Sequence, residues 1–314
     1  MEHEPGLESR VEVRKPENSL VRLKFMRHGD KESTGADPNL TEKGRDQAST
    51  AGSEYGPRPE VAVGHGTSRH RTEETIQRFI GVARPDVVTD SMTADEVEAA
   101  IDAEMRKEGR IGRKTIADDR LNFEFDGEYK VAIARALKEK RSLEFIVEDS
   151  DQIVLSTGDK KSTSLLRQAG NIAELIRNYG GGIAKGWRKA CENNPEEYKK
   201  FQYELERYLG THAGVVESFV VKLLREKLGQ PAMDEFVAAY PNGFSELQGI
   251  QVDVELVDNV PKFTLTYEIP ATEEGQESED RMVEFELADL DSIIDQRQAF
   301  ETMVEKAAVE SAAA

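Results

Sequence analysis

Apolar and polar residues alternate along residues 20–26, directly before the loop Arg27-His28-Gly29-Asp30. A period of two predicts a β-strand, so this loop should lie at the carboxyl end of a strand. Thr41 is a suitable N-cap for a helix that continues to about residue 51. A second short apolar run, residues 61–63, is followed by a loop and by a helical pattern over residues 68–82. Strands and helices therefore alternate in this part of the chain.

Helical patterns fill the middle of the chain. The run Asn194-Pro195-Glu196-Glu197 combines an N-cap, a proline in the first helical position and an acidic first turn. Residues 208–211 then lead to His212, which lies just before a strongly apolar helix. The predicted helices cover residues 94–107, 128–146, 162–178, 195–207 and 213–228.

Alternation returns towards the C-terminus. Residues 250–256 and 261–267 alternate on either side of Asp258-Asn259, which predicts a β-hairpin. Residues 282–287 predict one more strand, and residues 289–309 predict a helix.

The order of elements predicts an α/β fold, a three-layer sandwich with a mostly parallel central sheet, an inserted helical cap, and a C-terminal β-hairpin and helix. Ligands of such sheets bind beyond the carboxyl ends of the strands. The expected organisation is a flexible arm, one α/β domain with a helical insertion, and an extension of acidic loop, strand and helix. These parts cover residues 1–18, 19–270 with the insertion at about 81–207, and 271–314.

Charge and cysteine content narrow the classes of function. The formal net charge of −19 would repel a nucleic-acid backbone or an anionic lipid surface, so neither is an expected partner. The single cysteine, Cys191, excludes an intrachain disulfide and a cysteine-based zinc site. The N-terminal residues carry neither a basic region nor an apolar core of an export signal, so a cytoplasmic location is expected. The oligomeric state stays open.

The histidines are concentrated in the loops. The chain has five, and four of them, His28, His65, His70 and His212, fall in the three loops at the strand ends. Arg27 and Arg71 lie in the same loops, and a helix N-terminus follows His212. Guanidinium groups, imidazoles and a helix terminus together predict a pocket for a compact dianion such as a phosphoryl group.

Four segments, in order, carry a resemblance. Met26-Arg27-His28-Gly29 resembles the R-H-G signature of the histidine phosphatase (phosphoglycerate mutase-like) superfamily. The segment from Asp37 to Ala48 resembles its L-T-x-x-G-x-x-Q-A element, and Thr67 to Thr75 resembles its S-x-x-x-R-A-x-x-T segment with threonines at two of the usual positions. Thr211-His212-Ala213-Gly214-Val215-Val216 is similar to the second-histidine motif, S-H-G-G-V-I.

The resemblance implies a phosphomonoester hydrolase with a phosphohistidine intermediate on His28. Arg27, Gly29 and Arg71 would bind the phosphate, and His212 would be the second catalytic histidine. No metal and no cofactor would be required. The partner would be a small phosphorylated substrate or a phosphoprotein.

The general acid is less well defined. The family places a glutamate in an L-x-E-x-x-x-G context, and an ungapped match to Leu121-Asn122-Phe123-Glu124-Phe125-Asp126-Gly127 puts Phe123 at that position. Glu124 is the first choice, with a shift of one residue, and Glu128 is the second. The branch with an aspartate after the second histidine is disfavoured, because Ala213 stands there.

Two alternatives stay open. A phosphoglycerate mutase-like phosphotransferase would use the same phosphohistidine, but such mutases follow R-H-G with an E-S-x-W-N segment, whereas this chain has Asp30-Lys31-Glu32-Ser33. An inactive or weakly active relative would bind a phosphorylated partner with the same pocket.

Overall fold

The strands that the structure describes form one sheet. A computed structural model describes residues 14–33, 37–57, 62–81, 92–93, 96, 99–100, 103, 116–271 and 278–313. The strands are β1 (Leu20–Arg27), β2 (Val63–Gly66), β3 (Ile116–Ala117), β4 (Glu204–Thr211), β5 (Gly249–Val257), β6 (Val260–Ile269) and β7 (Glu279–Glu286). Their order in the sheet is β3-β2-β4-β1-β5-β6-β7.

The sheet is mixed, which corrects the prediction of a mostly parallel one. The pairings β3–β2, β2–β4 and β4–β1 are parallel, and β1–β5, β5–β6 and β6–β7 are antiparallel. The predicted hairpin is confirmed as β5 and β6, joined at Asp258 and Asn259, whose φ angles are +52° and +64°. Two left-handed residues form the tight turn that antiparallel neighbours need. Because β5 also pairs with β1, the hairpin extends the main sheet.

The helices of the described residues agree in type with most of the predicted ones. They are α1 (Glu42–Tyr55), α2 (His70–Gly81), α3 (Gly127–Lys138), α4 (Ser142–Glu148), α5 (Ser150–Thr157), α6 (Leu165–Asn178), α7 (Ala184–Asn193), α8 (Pro195–Lys199), α9 (Val215–Lys227), α10 (Gln230–Ala239) and α11 (Leu287–Ala313). A π-helical turn, Tyr179–Ile183, joins α6 to α7, and short 3₁₀ turns cover Pro16–Asn18 and Asp119–Leu121.

One predicted helix ends earlier in the structure, and another lies mostly outside the described residues. The helix expected to continue to Arg207 ends at Lys199, because Gln202 and Tyr203 turn the chain with φ angles of +54° and +56° and β4 then pairs with β1 from Glu204 onward. Cross-strand hydrogen bonds thus replace the helical ones over residues 204–207. Most of the predicted polar helix 94–107 lies outside the described residues, as do residues 1–13 of the predicted arm.

The two faces of the sheet bury different clusters. Val21, Leu23 and Phe25 of β1 belong to a large cluster that also contains residues of α3–α7, α9, α10 and α11. Met26, which points to the other face, packs with residues of α2 such as Phe79. The helices from the predicted insertion therefore share a core with the sheet. Within the described residues, no helix has the length and apolar character needed to cross a bilayer.

Candidate active site

The loops after β1 and β4 bring two histidines together. Arg27 and Thr211, the last residues of these parallel strands, are paired in the sheet. The main-chain N–H of His28 donates to the carbonyl of Thr211 at 3.0 Å, which continues the ladder one residue further. The rings of His28 and His212 therefore lie side by side, and the two residues are only 4% and 2% exposed.

His28 is held in one tautomer. Its Nδ1 lies 2.7 Å from the carbonyl oxygen of Gly29, and because a carbonyl only accepts, Nδ1 carries the proton. The lone pair of the neutral ring is therefore on Nε2. Burial lowers the pKa of His28 from 6.5 to about 3, with a smaller lowering by the charges of Arg71 and Arg27, while the bond to Gly29 acts in the opposite direction.

Close packing of glycines fixes the loop that carries His28. A Cβ atom at Gly29 would lie 2.6 Å from the carbonyl oxygen of Gly44 in α1, and one at Gly44 would lie 2.0 Å from the carbonyl oxygen of Asp30. The N–H of Gly29 donates to the hydroxyl of Thr75 in α2 at 3.1 Å. The acceptor for His28 is thus fixed by contacts with two helices.

Arg71 connects the second loop to His212. Arg71 is only 5% exposed. Its guanidinium donates to Asp37 at 2.9 Å and to Nδ1 of His212 at 3.4 Å. Burial lowers the pKa of Arg71, and the charge of Asp37 opposes that lowering. Asp37 also accepts the main-chain N–H of His70, at the start of α2, at 3.3 Å. A carboxylate therefore lies against the guanidinium that was predicted to bind phosphate.

The contacts of His212 define its tautomer as well. A guanidinium only donates, so Nδ1 of His212 accepts from Arg71 and Nε2 carries the proton. Nε2 lies 3.4 Å from the hydroxyl of Thr67, which also accepts the N–H of Arg69 at 3.0 Å and lies 3.0 Å from the hydroxyl of Thr72. Burial, assisted by its cationic neighbours, lowers the pKa of His212 well below 6.5.

Arg27 lies at the other side of the site. Its Nη1 donates to the carbonyl of Phe244 at 2.5 Å, and its Nη2 lies 3.6 Å from a carboxylate oxygen of Glu246. In the described part of the chain, the Nε groups of Arg27 and Arg71 are buried without a hydrogen-bond partner. Buried donors of this kind are unfavourable unless an acceptor satisfies them. Guanidinium groups are common partners of anions that carry several oxygens.

An acid caps the N-terminus of the helix after His212. The N–H of Gly214, at the start of α9, donates to the carboxylate of Glu217 at 2.9 Å. The carboxylate itself is buried, with Glu217 1% exposed. One of the first amides of the helix is therefore satisfied within the chain.

The predicted general acids lie at the surface of the protein. Glu124 and Glu128 are solvent-exposed, and the main chain of Glu124 exchanges hydrogen bonds with Thr163 at 3.0 and 2.9 Å. The ring of Phe123 instead packs edge-on against His212, with centroids 4.6 Å apart.

Four side chains that contact the site residues were not singled out from the sequence, namely Asp37, Thr67, Thr75 and Glu217. The first three lie inside the segments that carry the family resemblance, so their positions were visible but their contacts were not. Glu217 follows the second-histidine motif directly, and only the three-dimensional arrangement shows what it binds. In the described ranges, no group of three or more His, Cys, Asp or Glu side chains could hold a metal ion.

No family model matches the chain, and no curated protein matches it. Solved structures that are similar to it include one described as mycobacterial hydrolase 1, with 15% identity over 75% of this chain and 92% of that one and a TM-score of 0.41. A mycobacterial glucosyl-3-phosphoglycerate phosphatase has 15% identity, coverages of 75% and 90%, and a TM-score of 0.39. A phosphoserine phosphatase from Entamoeba histolytica has 13% identity, coverages of 77% and 93%, and a TM-score of 0.38.

Two of these three structures are described as phosphatases. In its ordered motifs, the chain resembles the histidine phosphatase superfamily.

Proposed function

We propose that the protein is a phosphomonoester hydrolase that works through a phosphohistidine on His28. The observation that carries this proposal is the bond between Nδ1 of His28 and the carbonyl of Gly29, 2.7 Å long, in a ring whose pKa is about 3. The ring is therefore neutral at physiological pH, with the Nε2 lone pair available for attack on phosphorus.

The reaction would take place in two displacements. Nε2 of His28 attacks phosphorus, the ester P–O bond breaks, and the leaving alkoxide takes a proton. Water then attacks the phosphohistidine, the P–N bond breaks, and orthophosphate and the neutral ring are released. Arg27 and Arg71 would hold the phosphoryl oxygens, and in the complex the Nε2–H of His212 would donate to one of them instead of to Thr67, so charge that develops in the transition state meets these donors.

We propose Glu124 as the proton donor to the leaving alkoxide, and Glu128 as the second choice. Glu124 adjoins Phe123, whose ring contacts His212. Its exposure in the free protein requires that the carboxyl turn towards the bound substrate. Catalytic hydrogen bonds often become tight only in the complex with substrate.

We also propose that residues 81–207 act as the insertion that sets substrate preference. This segment contributes Phe123 to the wall of the site, and the side chain of Gln168 in α6 supports the same loop by donating to the carbonyl of Asn122 at 3.1 Å. Loops of this kind vary while the scaffold stays constant. A cytoplasmic location is proposed on the basis of the single, buried cysteine, Cys191.

The test is to label the phosphoenzyme. Wild type, quenched during turnover of a labelled small phosphomonoester, should retain phosphate that is acid-labile and base-stable, and His28→Ala should retain none. His70→Ala removes an exposed ring from the neighbouring loop and is the matched control, with labelling expected as in wild type. Equal rates of hydrolysis by wild type and His28→Ala would exclude the proposal.

A second candidate is a phosphate-binding relative with little turnover. The position where the resemblance expects the general acid holds Phe123, which packs against His212. Calorimetric binding of phosphate, without release of phosphate from a broad panel of monoesters, would favour this candidate. A phosphoglycerate mutase-like activity is separated from both by the isomerisation of phosphoglycerate without release of phosphate.

A further inference from the structure

We propose that Glu217 is a positioning residue that sets the place of the Arg27 guanidinium in the phosphate site. The inference rests on the proposed function, because it assigns Arg27 to phosphate binding. Glu217 lies in the first turn of α9 and is 1% exposed. A carboxylate is costly to bury unless hydrogen bonds and an opposite charge compensate it.

Both oxygens of the Glu217 carboxylate accept main-chain hydrogen bonds. Oε2 accepts the N–H of Gly214 at 2.9 Å, and Oε1 accepts the N–H of Phe244 at 2.6 Å. Gly214 lies in the loop between β4 and α9, and Phe244 lies in the loop between α10 and β5. The two loops are about thirty residues apart in the chain. One side chain therefore ties the loop after His212 to the loop before β5.

Phe244 passes this constraint to Arg27. The residue gives its N–H to Glu217 and receives the Nη1–H of Arg27 at its carbonyl, at 2.5 Å. Its own ring is buried and packs against Phe236 and Tyr240, with centroid distances of 5.8 and 4.7 Å. Phe244, whose carbonyl holds the guanidinium, is thus held in place by its main-chain N–H and by its ring.

The fit around the carboxylate is close. A Cβ atom at Gly243 would lie 2.6 Å from Oε1 of Glu217, and Gly243 has a φ angle of +75°. Burial raises the pKa of Glu217, while the bond from Phe244 and the charge of Arg27 act in the opposite direction. A shorter acid would not reach both amides, and a glutamine would turn an N–H₂ group towards one of them.

The contribution of Glu217 through Arg27 is measured by a double-mutant cycle. Binding of inorganic phosphate is measured by calorimetry at neutral pH for wild type, Glu217→Gln, Arg27→Ala and the double variant. We expect Glu217→Gln to weaken phosphate binding about tenfold in the wild-type background and less than about twofold when Arg27 is already alanine. Glu226→Gln, on the same helix and 3.6 Å from Lys222, is the matched control and should leave the affinity unchanged.

Equal losses in both backgrounds would overturn the proposal, because Glu217 would then act independently of Arg27. The same conclusion would follow if Arg27→Ala left phosphate binding unchanged. Urea unfolding shows whether Glu217→Gln is folded. If it is not, Glu217→Asp replaces it in the cycle, since aspartate keeps the charge and loses the reach to Phe244, and the same tenfold loss is expected.

The outcomes also separate this proposal from the proposed function. If wild type binds phosphate but hydrolyses no phosphomonoester, hydrolysis is excluded and the cycle still decides the role of Glu217. If wild type binds no phosphate, both proposals fail.

Discussion

The rings of His28 and His212 meet edge to face, with centroids 5.2 Å apart and planes inclined by 67°. Two imidazolium charges at this separation would repel each other strongly in a buried site. Burial and the neighbouring guanidinium groups lower the pKa of both rings. The pair is therefore neutral over the physiological range, which is the state that nucleophilic attack by His28 needs.

The neutral state of His28 predicts an acid-dependent loss of stability. Its pKa is about 3 in the folded protein, against 6.5 for an exposed ring, so below pH 6.5 the unfolded chain binds the proton first. The contribution of the neutral His28 ring to the free energy of unfolding is therefore complete above pH 6.5, and it is lost as the pH falls towards 3. Between pH 7 and 5, His28→Asn should lose about 2 kcal/mol less free energy of unfolding than wild type, as measured by urea denaturation.

The comparison carries its own control at higher pH. From pH 7.5 to 8.5 the ring is neutral in both folded and unfolded chains, so wild type and His28→Asn should show parallel pH dependences there. Parallel dependences between pH 7 and 5 as well would show that His28 takes up its proton as readily in the folded protein as in the unfolded chain.

The contact between Gly29 and Gly44 predicts a sharp steric effect. In Gly29→Ala the new Cβ would lie 2.6 Å from the carbonyl oxygen of Gly44, which is main chain and cannot rotate away. We expect a loss of about 1–3 kcal/mol in the free energy of unfolding, since overpacking forces the backbone to shift. Because the Gly29 carbonyl orients His28, hydrolysis should fall further than the folded fraction does.

Gly186→Ala is the matched control for that substitution. Gly186 lies within α7, and a Cβ atom there meets nothing within 4 Å. Alanine should stabilise this helix by about 0.5–1 kcal/mol and leave hydrolysis unchanged. Wild-type stability of Gly29→Ala would mean that the loop after β1 and helix α1 approach each other less closely than the structure has them.

The sequence predicted the parts of the site that follow from strand ends. His28 follows a strand that alternation predicts, and parallel neighbours bring their carboxyl ends to one edge. Before His212 a helix was predicted as far as Arg207, yet β4 begins at Glu204 because pairing with β1 outweighs the local helical pattern. Propensity acts over a few residues, whereas the partner of β4 lies almost two hundred residues earlier.

Contacts between loops could not be predicted in the same way. Asp37 and Arg71 are separated by 34 positions, and Glu217 and Phe244 by 27, so no periodicity relates the members of each pair. The mixed character of the sheet could not be predicted for a similar reason. The turn at Asp258 and Asn259 predicts the hairpin, but no local pattern predicts that β5 also pairs with β1. The packing of Phe123 against His212 is likewise a contact between distant parts of the chain, which no local pattern predicts.

The identity of the proton donor is tested by leaving groups. A general acid matters most when the leaving alkoxide is strongly basic, so Glu124→Gln should lower kcat for alkyl phosphates by about 10²–10⁴-fold. For an aryl phosphate with an acidic phenol the same variant should keep most of its activity. Glu128→Gln tests the second choice in the same way, and should keep its activity on both ester classes if Glu124 is the donor. Uniform activity of Glu124→Gln across both ester classes would assign the proton transfer to another group.

The ion pair of Asp37 and Arg71 predicts that removing the charge of Asp37 raises the affinity for inorganic phosphate. The carboxylate takes a guanidinium N–H at 2.9 Å and places negative charge beside the site for the phosphoryl group. Asp37→Asn keeps the shape of the side chain and removes the charge, so competitive inhibition by inorganic phosphate should become about three- to tenfold stronger, roughly 1 kcal/mol. The matched control is Asp291→Asn, because Asp291 pairs with Arg177 at 2.7 Å and its loss changes the net charge equally. Equal gains in both variants would assign the effect to net charge, and a loss of kcat without a change in phosphate affinity would instead make Asp37 a proton-transfer group.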